Sequence, residues 1–206
     1  MKNSITFVVF DRVGKNGFPG MAVSSLTHTV MPYAWHIAYG VTPVRHDTPI
    51  DISHQVFWNL DGFMEGTTKT IAEHMLHLPH SGLRLGIDEH NVPTGDILGN
   101  KMNTTYDFWS RPKSIGSVLG KTSAEGLDNT FLISRSQPWS KDHSPAATLE
   151  SDESGIKLDL YTDKEALHVL TWNEEDGIPT LDFLFSLHLF FLKSILHDFL
   201  FERQTS

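Results

Sequence analysis

Short runs of β-favouring residues, cut every few positions by Gly, Pro, Asn or Asp, fill this chain up to about residue 173. Val, Ile, Phe, Trp and Thr suit a pleated, half-buried surface, whereas a helix needs apolar residues recurring at a spacing of about 3.6. No strong pattern of the second kind occurs before residue 178. Strands are predicted over 5–10, 21–30, 35–41, 50–60, 71–78, 131–134, 147–149, 156–161 and 167–172, with Met31-Pro32-Tyr33-Ala34 as a hairpin connection. Two antiparallel sheets packed face to face bury such one-sided surfaces, so the fold class is all-β, an antiparallel β-sandwich. A chain of 206 residues suits one domain with a sizeable core, or a portion of a larger sandwich.

Residues 178–201 change character and carry six of the chain's 13 phenylalanines. Their apolar residues surround a helix rather than striping it, which predicts an apolar helix over 181–201 that lowers solubility. Asp182, Ser186, His188, Lys193, His197 and Asp198 interrupt the run, and charged groups at membrane depth are expensive, so stable membrane insertion is not expected. The resulting division is a sandwich portion over 1–177 and an apolar tail over 178–206, the tail being a surface for a protein partner or for self-association.

A formal charge of −9 with no basic stripe argues against nucleic acid and against docking on anionic lipid, and is neutral towards an uncharged polyol. With no cysteine, disulfides and thiol nucleophiles are excluded. The apolar run at 5–10 is too brief for a signal peptide and no small-residue cleavage site follows it, which leaves location open with the cytoplasm as the default. Asn103-Thr104-Thr105 is a glycosylation acceptor triplet that matters only in a secreted chain.

Among chemistry-bearing residues, His54 stands out inside Ile52-Ser53-His54-Gln55-Val56-Phe57-Trp58-Asn59-Leu60. A buried imidazole without a partner is costly, so His54 is either a hydrogen-bonded structural residue or a group held ready in a pocket. His74, His77 and His80 lie three apart. At strand periodicity His74 and His80 share one face and His77 the other, so one metal cannot collect all three. Asp88-Glu89-His90 reads as a solvated turn, and Asp128 as a turn cap before the strand at Phe131. The five tryptophans are core anchors, with Trp58 and Trp109 able to stack on a sugar face.

The stretch from Ser53 to Leu60 also resembles the Asn-His-Thr-Tyr-Phe-Asn-Leu signature of the aldose 1-epimerase, or galactose mutarotase, family. Further fragments follow in that family's order. They are Phe18-Pro19-Gly20, Asp47-Thr48-Pro49-Ile50, Val92-Pro93-Thr94-Gly95-Asp96-Ile97, Tyr106-Asp107-Phe108 with Lys113-Ser114-Ile115-Gly116, and Gly126-Leu127-Asp128-Asn129-Thr130-Phe131. The resemblance spans about residues 5–173 and is closest in style to fungal members.

The resemblance implies an incomplete mutarotase-like supersandwich, a hexose such as glucose or galactose as the small-molecule partner, and interconversion of its α and β anomers without metal, nucleotide or other cofactor. A base takes the proton of the anomeric hydroxyl while an acid protonates the ring oxygen, so the chemistry needs a paired acid and base tuned towards neutrality. By the resemblance His54 is the catalytic histidine acting on the ring oxygen, and Asp128 is the substrate-binding carboxylate, expected near it on the concave side of one sheet. The family's catalytic glutamate has no match, since Glu174 and Glu175 come too early in the family order. About a hundred amino-terminal residues, with an arginine and a second histidine, also have none. Anomer conversion is therefore expected to be weak or lost, with a non-catalytic carbohydrate-binding or partner-docking role as the alternative.

Overall fold

The computed structural model describes residues 3–45, 53–62, 70–122, 126–137, 141–172, 184–190 and 197–203. They form strands β1 (Asn3–Asp11), β2 (Met21–Met31), β3 (Ala34–Arg45), β4 (Ser53–Trp58), β5 (Met75–His77), β6 (Leu83–Ile87) and β7 (Pro93–Gly99). The chain continues with β8 (Lys113–Ser114), β9 (Asp128–Leu132), β10 (Ala147–Ser151), β11 (Ile156–Thr162), β12 (Ala166–Trp172), β13 (Leu184–Phe190) and β14 (His197–Arg203). An eight-stranded sheet runs in the order β1-β2-β3-β14-β11-β10-β5-β8, and a six-stranded sheet in the order β4-β13-β12-β9-β6-β7. Every described pairing is antiparallel.

Alternation decides which residues meet between the sheets. From the larger sheet come Ile37, Leu76, Leu149, Leu158 and Leu160, and from the smaller Phe131, Leu167 and Val169, all in one buried cluster. Phe108 and Phe131 meet edge to face with centroids 6.3 Å apart, an arrangement that adds to simple area burial. Loops close this core with small residues. A Cβ on Gly116 would stand 2.9 Å from the Ala72 carbonyl oxygen, the same oxygen that accepts the Gly116 N–H at 2.8 Å. Only glycine allows that approach. The hairpin expected at 31–34 is present, turning through Tyr33 at φ 60.

The helix expected over 181–201 is not formed by the described residues there, which are strands. β13 lies between β4 and β12, and β14 between β3 and β11. An apolar run without alternation reads alike as a buried helix or as a strand inside a sheet. Here β13 and β14 each have ladder partners on both sides, which a helix could not supply. Among the described residues no helix is long and apolar enough to cross a membrane.

At one end of the larger sheet β1 pairs, among the described residues, only with β2. Ile5, Phe7, Val8, Val9 and Phe10 are all at least half exposed.

Candidate functional site

The outward face of the six-stranded sheet carries a compact polar group built by two neighbouring strands. In β9 the side chains of Asn129 and Phe131 go to the core, which turns Asp128 and Thr130 outward. In β12 Leu167 and Val169 go to the core, and His168 is turned outward between them. The ladder sets His168 opposite Thr130 and Leu170 opposite Asp128. His168 Nε2 then lies 2.9 Å from Asp128 Oδ1, with the two side chains 19% and 26% exposed. Nδ1 lies 2.9 Å from Thr130 Oγ1.

These distances fix the protons. A carboxylate only accepts, so the nitrogen facing Asp128 carries the hydrogen. In the neutral ring Nδ1 is then bare, and Thr130 donates its hydroxyl to it. Asp128, His168 and Thr130 thus form one line of carboxylate, imidazole and hydroxyl, open to solvent on one side. The line can accept hydrogen bonds from a neutral polyol and can relay a proton. In register, His188 of β13 is paired with His168, and Gln55 of β4 with His188.

His54 is on the other face. The ladder runs His54 to Leu189, Leu189 to Leu167, and Leu167 to Phe131. Directly opposed residues share a face, and Leu167 and Phe131 are fully buried core residues. The His54 ring accordingly sits inside an aromatic cluster, with centroids 5.9 Å from Tyr39, 6.1 Å from His28 and 6.2 Å from Trp35. Trp35 Nε1–H donates to His28 Nδ1 at 3.1 Å and the two rings stack. Trp58 packs edge-on against Trp35 at 6.2 Å. Burial pushes the Tyr39 phenol well above its ordinary value. The expected neighbourhood of His54 and Asp128 is therefore not what the fold builds: they share a sheet but point to opposite sides of it.

The other sequence candidates disperse. His74 is fully buried, its Nε2 accepting the Leu60 N–H at 3.0 Å and its Nδ1 standing 3.7 Å from Asp61 Oδ2. His77 Nε2 is 3.3 Å from the Trp109 carbonyl, and His80 Nε2 is 2.7 Å from Ser144 Oγ. The three histidines thus face three different partners. Among the described residues no three acidic, cysteine or histidine side chains are arranged to hold a metal ion. Asp88 holds the expected turn by accepting the N–H groups of His90 and Val92 at 2.8 and 2.9 Å. Trp109 donates its indole N–H to the Asn100 carbonyl at 2.6 Å, a structural tie.

Thr130 and His168 went unrecognised in the sequence, although a signal existed. Strict alternation in Ala166-Leu167-His168-Val169-Leu170 puts the one polar residue away from the core, and the same rule turns Asp128 and Thr130 outward in the neighbouring strand.

Comparison with known proteins supports one family. The family model described as aldose 1-epimerase matches residues 2–191. The Epimerase FSL3 of Gibberella zeae is 48% identical over 200 residues, covering 85% of this chain and 46% of that protein. The probable aldose 1-epimerase of Arthroderma benhamiae is 29% identical over 203 residues, covering 85% of this chain and 44% of that one. The chain thus spans less than half the length of these two curated relatives. Among solved structures, the GalM/aldose epimerase homologue of C. elegans superposes with a TM-score of 0.78 at 21% identity, over 98% of this chain and 66% of that one. The galactose 1-epimerase of Lactobacillus acidophilus gives 0.78 at 18% identity, over 99% and 64%. At such identities these two likenesses speak for the fold.

Proposed function

Since the chain belongs to the aldose 1-epimerase family, we propose that it binds a hexose such as glucose or galactose on the outward face of the six-stranded sheet, through Asp128, and that it converts anomers weakly or not at all. The observation that carries this is the Asp128–His168–Thr130 line, a solvent-open set of hydrogen-bonding groups suited to sugar hydroxyls. Mutarotation needs an acid and a base acting on one sugar from two sides. His54, the histidine matched to ring-oxygen chemistry, stands on the opposite face from Asp128. General acid and base groups contribute about 10²- to 10⁴-fold each, so a sugar held at Asp128 out of reach of His54 forgoes that share of the rate. The same placement favours the second reading, a carbohydrate-binding protein without turnover.

Polarimetry on freshly dissolved α-D-glucose and α-D-galactose, paired with equilibrium sugar titration, tests the proposal. Sugar binding lost in Asp128→Asn, with mutarotation close to the uncatalysed rate, is the expected result. A rate like that of an active aldose 1-epimerase, abolished by His54→Ala, would overturn the weak-turnover reading and restore His54 as the proton-transfer group.

A further inference from the structure

We propose that the overhanging end of the larger sheet docks on a second copy of this chain. The product is a closed two-fold dimer in which β1 of each protomer pairs antiparallel with β4 of the other, and the two overhanging inner faces pack on each other. This surface is separate from Asp128, which stays open on the outward face of the six-stranded sheet.

The two sheets end out of step. β4, the last described strand of the smaller sheet, lies over β3, with the His54 ring 5.9 Å from Tyr39 and the Trp58 ring 6.2 Å from Trp35. These contacts make β4 antiparallel to β3, because His54 meets the later residue and Trp58 the earlier one. The larger sheet continues past this point by β2 and β1. Register carries its core face outward, from Ile37 through His28 to Ile5 and from Tyr39 through Leu26 to Phe7. Ile37 and Tyr39 are buried, whereas Ile5 is 55%, Phe7 52% and Val9 50% exposed. A face built for a core thus runs out from under its cover. The edge is equally unprotected. Natural edge strands carry lysine, proline or a bulge that blocks further pairing. β1 has no charge or proline between Ser4 and Phe10 and stays in register with β2 throughout.

Reciprocity selects the occupant. A two-fold axis along the strands exchanges the two layers, so the overhang of one protomer enters the layer that ends at β4 of the other. β1 then abuts β4, β2 of one protomer covers β1 of the other, and both edges and both faces close in one step, as in an isologous interface. Such an axis preserves strand direction. β1 and β3 run the same way, each being antiparallel to β2, so β4 meets the second copy's β1 antiparallel. Level is preserved too, which sets Phe7 beside His54 and therefore Thr6 beside Gln55. Pairing β1 with β1 edge to edge would instead leave both apolar faces wet. Each overhang measures about 30 by 10 Å, and each paired edge about 17 by 10 Å, from the usual strand and sheet spacings. Two overhangs and four edges come to about 1,300 Å², inside the range of about 1,200–2,000 Å² for a stable interface. No Asp, Glu, Lys or Arg lies in Ser4–Phe10 or in β4 to be desolvated.

Sedimentation velocity of the full chain over micromolar concentrations tests this, and a reversible species of twice 23.2 kDa is expected. Phe7→Lys should weaken it at least about 100-fold, since two such side chains leave water per dimer. Val8→Lys, on the other face of the same strand and 51% exposed, should stay within about three-fold. Val30→Lys, on the overhanging face of β2 and 54% exposed, should repeat the Phe7→Lys result, and it decides the matter where circular dichroism shows Phe7→Lys unfolded. The chain has no cysteine, so disulfides can report the geometry. Oxidation should link dimers of the double variant Thr6→Cys/Gln55→Cys and of neither single variant. A monomer at every concentration or assemblies growing beyond two copies overturns the proposal. So does a dimer unmoved by the overhang substitutions or weakened equally by Val8→Lys. Disulfide linkage of Thr6→Cys alone, which signals edge-to-edge pairing of β1, or none in the double variant, overturns it as well.

Discussion

Replacing His74 with glutamine tests whether the buried polar network under β4 shapes the pH dependence of stability. Nε2 of this fully buried ring accepts the Leu60 N–H at 3.0 Å, so that nitrogen is bare and the ring is the neutral Nδ1–H tautomer, 3.7 Å from Asp61 Oδ2. Asp61 in turn accepts the Ser151 hydroxyl, which ties the end of β4 to β10. Burial pushes the imidazole below its ordinary value, with the Asp61 and Glu153 carboxylates pulling the other way. In the unfolded chain a histidine titrates near 6.5. Below that pH the unfolded chain binds a proton that the native chain refuses. The contribution is therefore whole above about pH 6.5 and is lost as pH falls towards the folded value. One proton sets the slope at up to about 1.4 kcal/mol per pH unit. His80, lowered first by burial and then by Arg135, acts in the same direction, so the comparison must be a difference. Glutamine offers Leu60 an acceptor and does not titrate. Urea unfolding at pH 7.5 and 5.5 should show the unmodified chain losing about 1 kcal/mol more than His74→Gln across that interval. Equal pH slopes in the two proteins would refute the assignment of the slope to this ring.

Phe131→Ala removes a fully buried ring from the centre of the sandwich and should cost about 3–5 kcal/mol in urea or thermal unfolding. Asp107 is 2% exposed and accepts from the Asn103 and Ser110 N–H groups and the Ser110 hydroxyl. Burial raises its carboxyl, but these bonds and Lys113 together hold it below the usual value. Its contribution is accordingly present above about pH 4 and lost as pH falls through the folded value. Asp107→Asn should cost about 2 kcal/mol at neutral pH and flatten the acid limb of an unfolding-against-pH curve. Removing residues 174–206 takes away β13 and β14, so that β4 loses its one ladder partner among the described residues and β3 is split from β11. The truncated chain should melt well below the full one, and an unchanged Tm with better solubility would contradict that.

Much of the fold was legible where one face of a strand is wet. β2, β3, β10, β11 and β12 fall within a few residues of the predicted strands because their alternation survives in the sequence. β6 and β7 were not visible. β7 is exposed along its whole length, so nothing selects alternating residues, and its Pro93, Gly95 and Gly99 read as turn. Gly86 of β6 is glycine for close packing, since a Cβ there would lie 2.9 Å from Thr94 Oγ1. The strand expected over 71–78 shrinks to Met75–His77 because the His74 N–H turns back to the Ile71 carbonyl. In the site, resemblance picked out Asp128 by identity but carried no information about which way a side chain points.

That direction is a property of register, and for His54 it depends on one strand. Among the described residues β4 ends its sheet and pairs only with β13, so the relation between the His54 row and the Asp128 row passes through β13. In a strand, a slip of one residue exchanges the two faces. Slipping β4 by one would bring His54 to the side of Asp128, and with it would expose Val56 and Trp58 while turning Gln55 and Phe57 inward. Val56 and Trp58 pack on the core now, and Phe57 is 37% exposed. The exchange gives up one apolar side chain net, about 1.5–3 kcal/mol. It also drives the Gln55 amide into an apolar layer, at about 1–3 kcal/mol when no partner meets it. Contacts of His54 with Tyr39, His28 and Trp35 oppose it further. The inward histidine is thus held by ring contacts with β2 and β3, and any route to turnover through His54 must first overcome that packing.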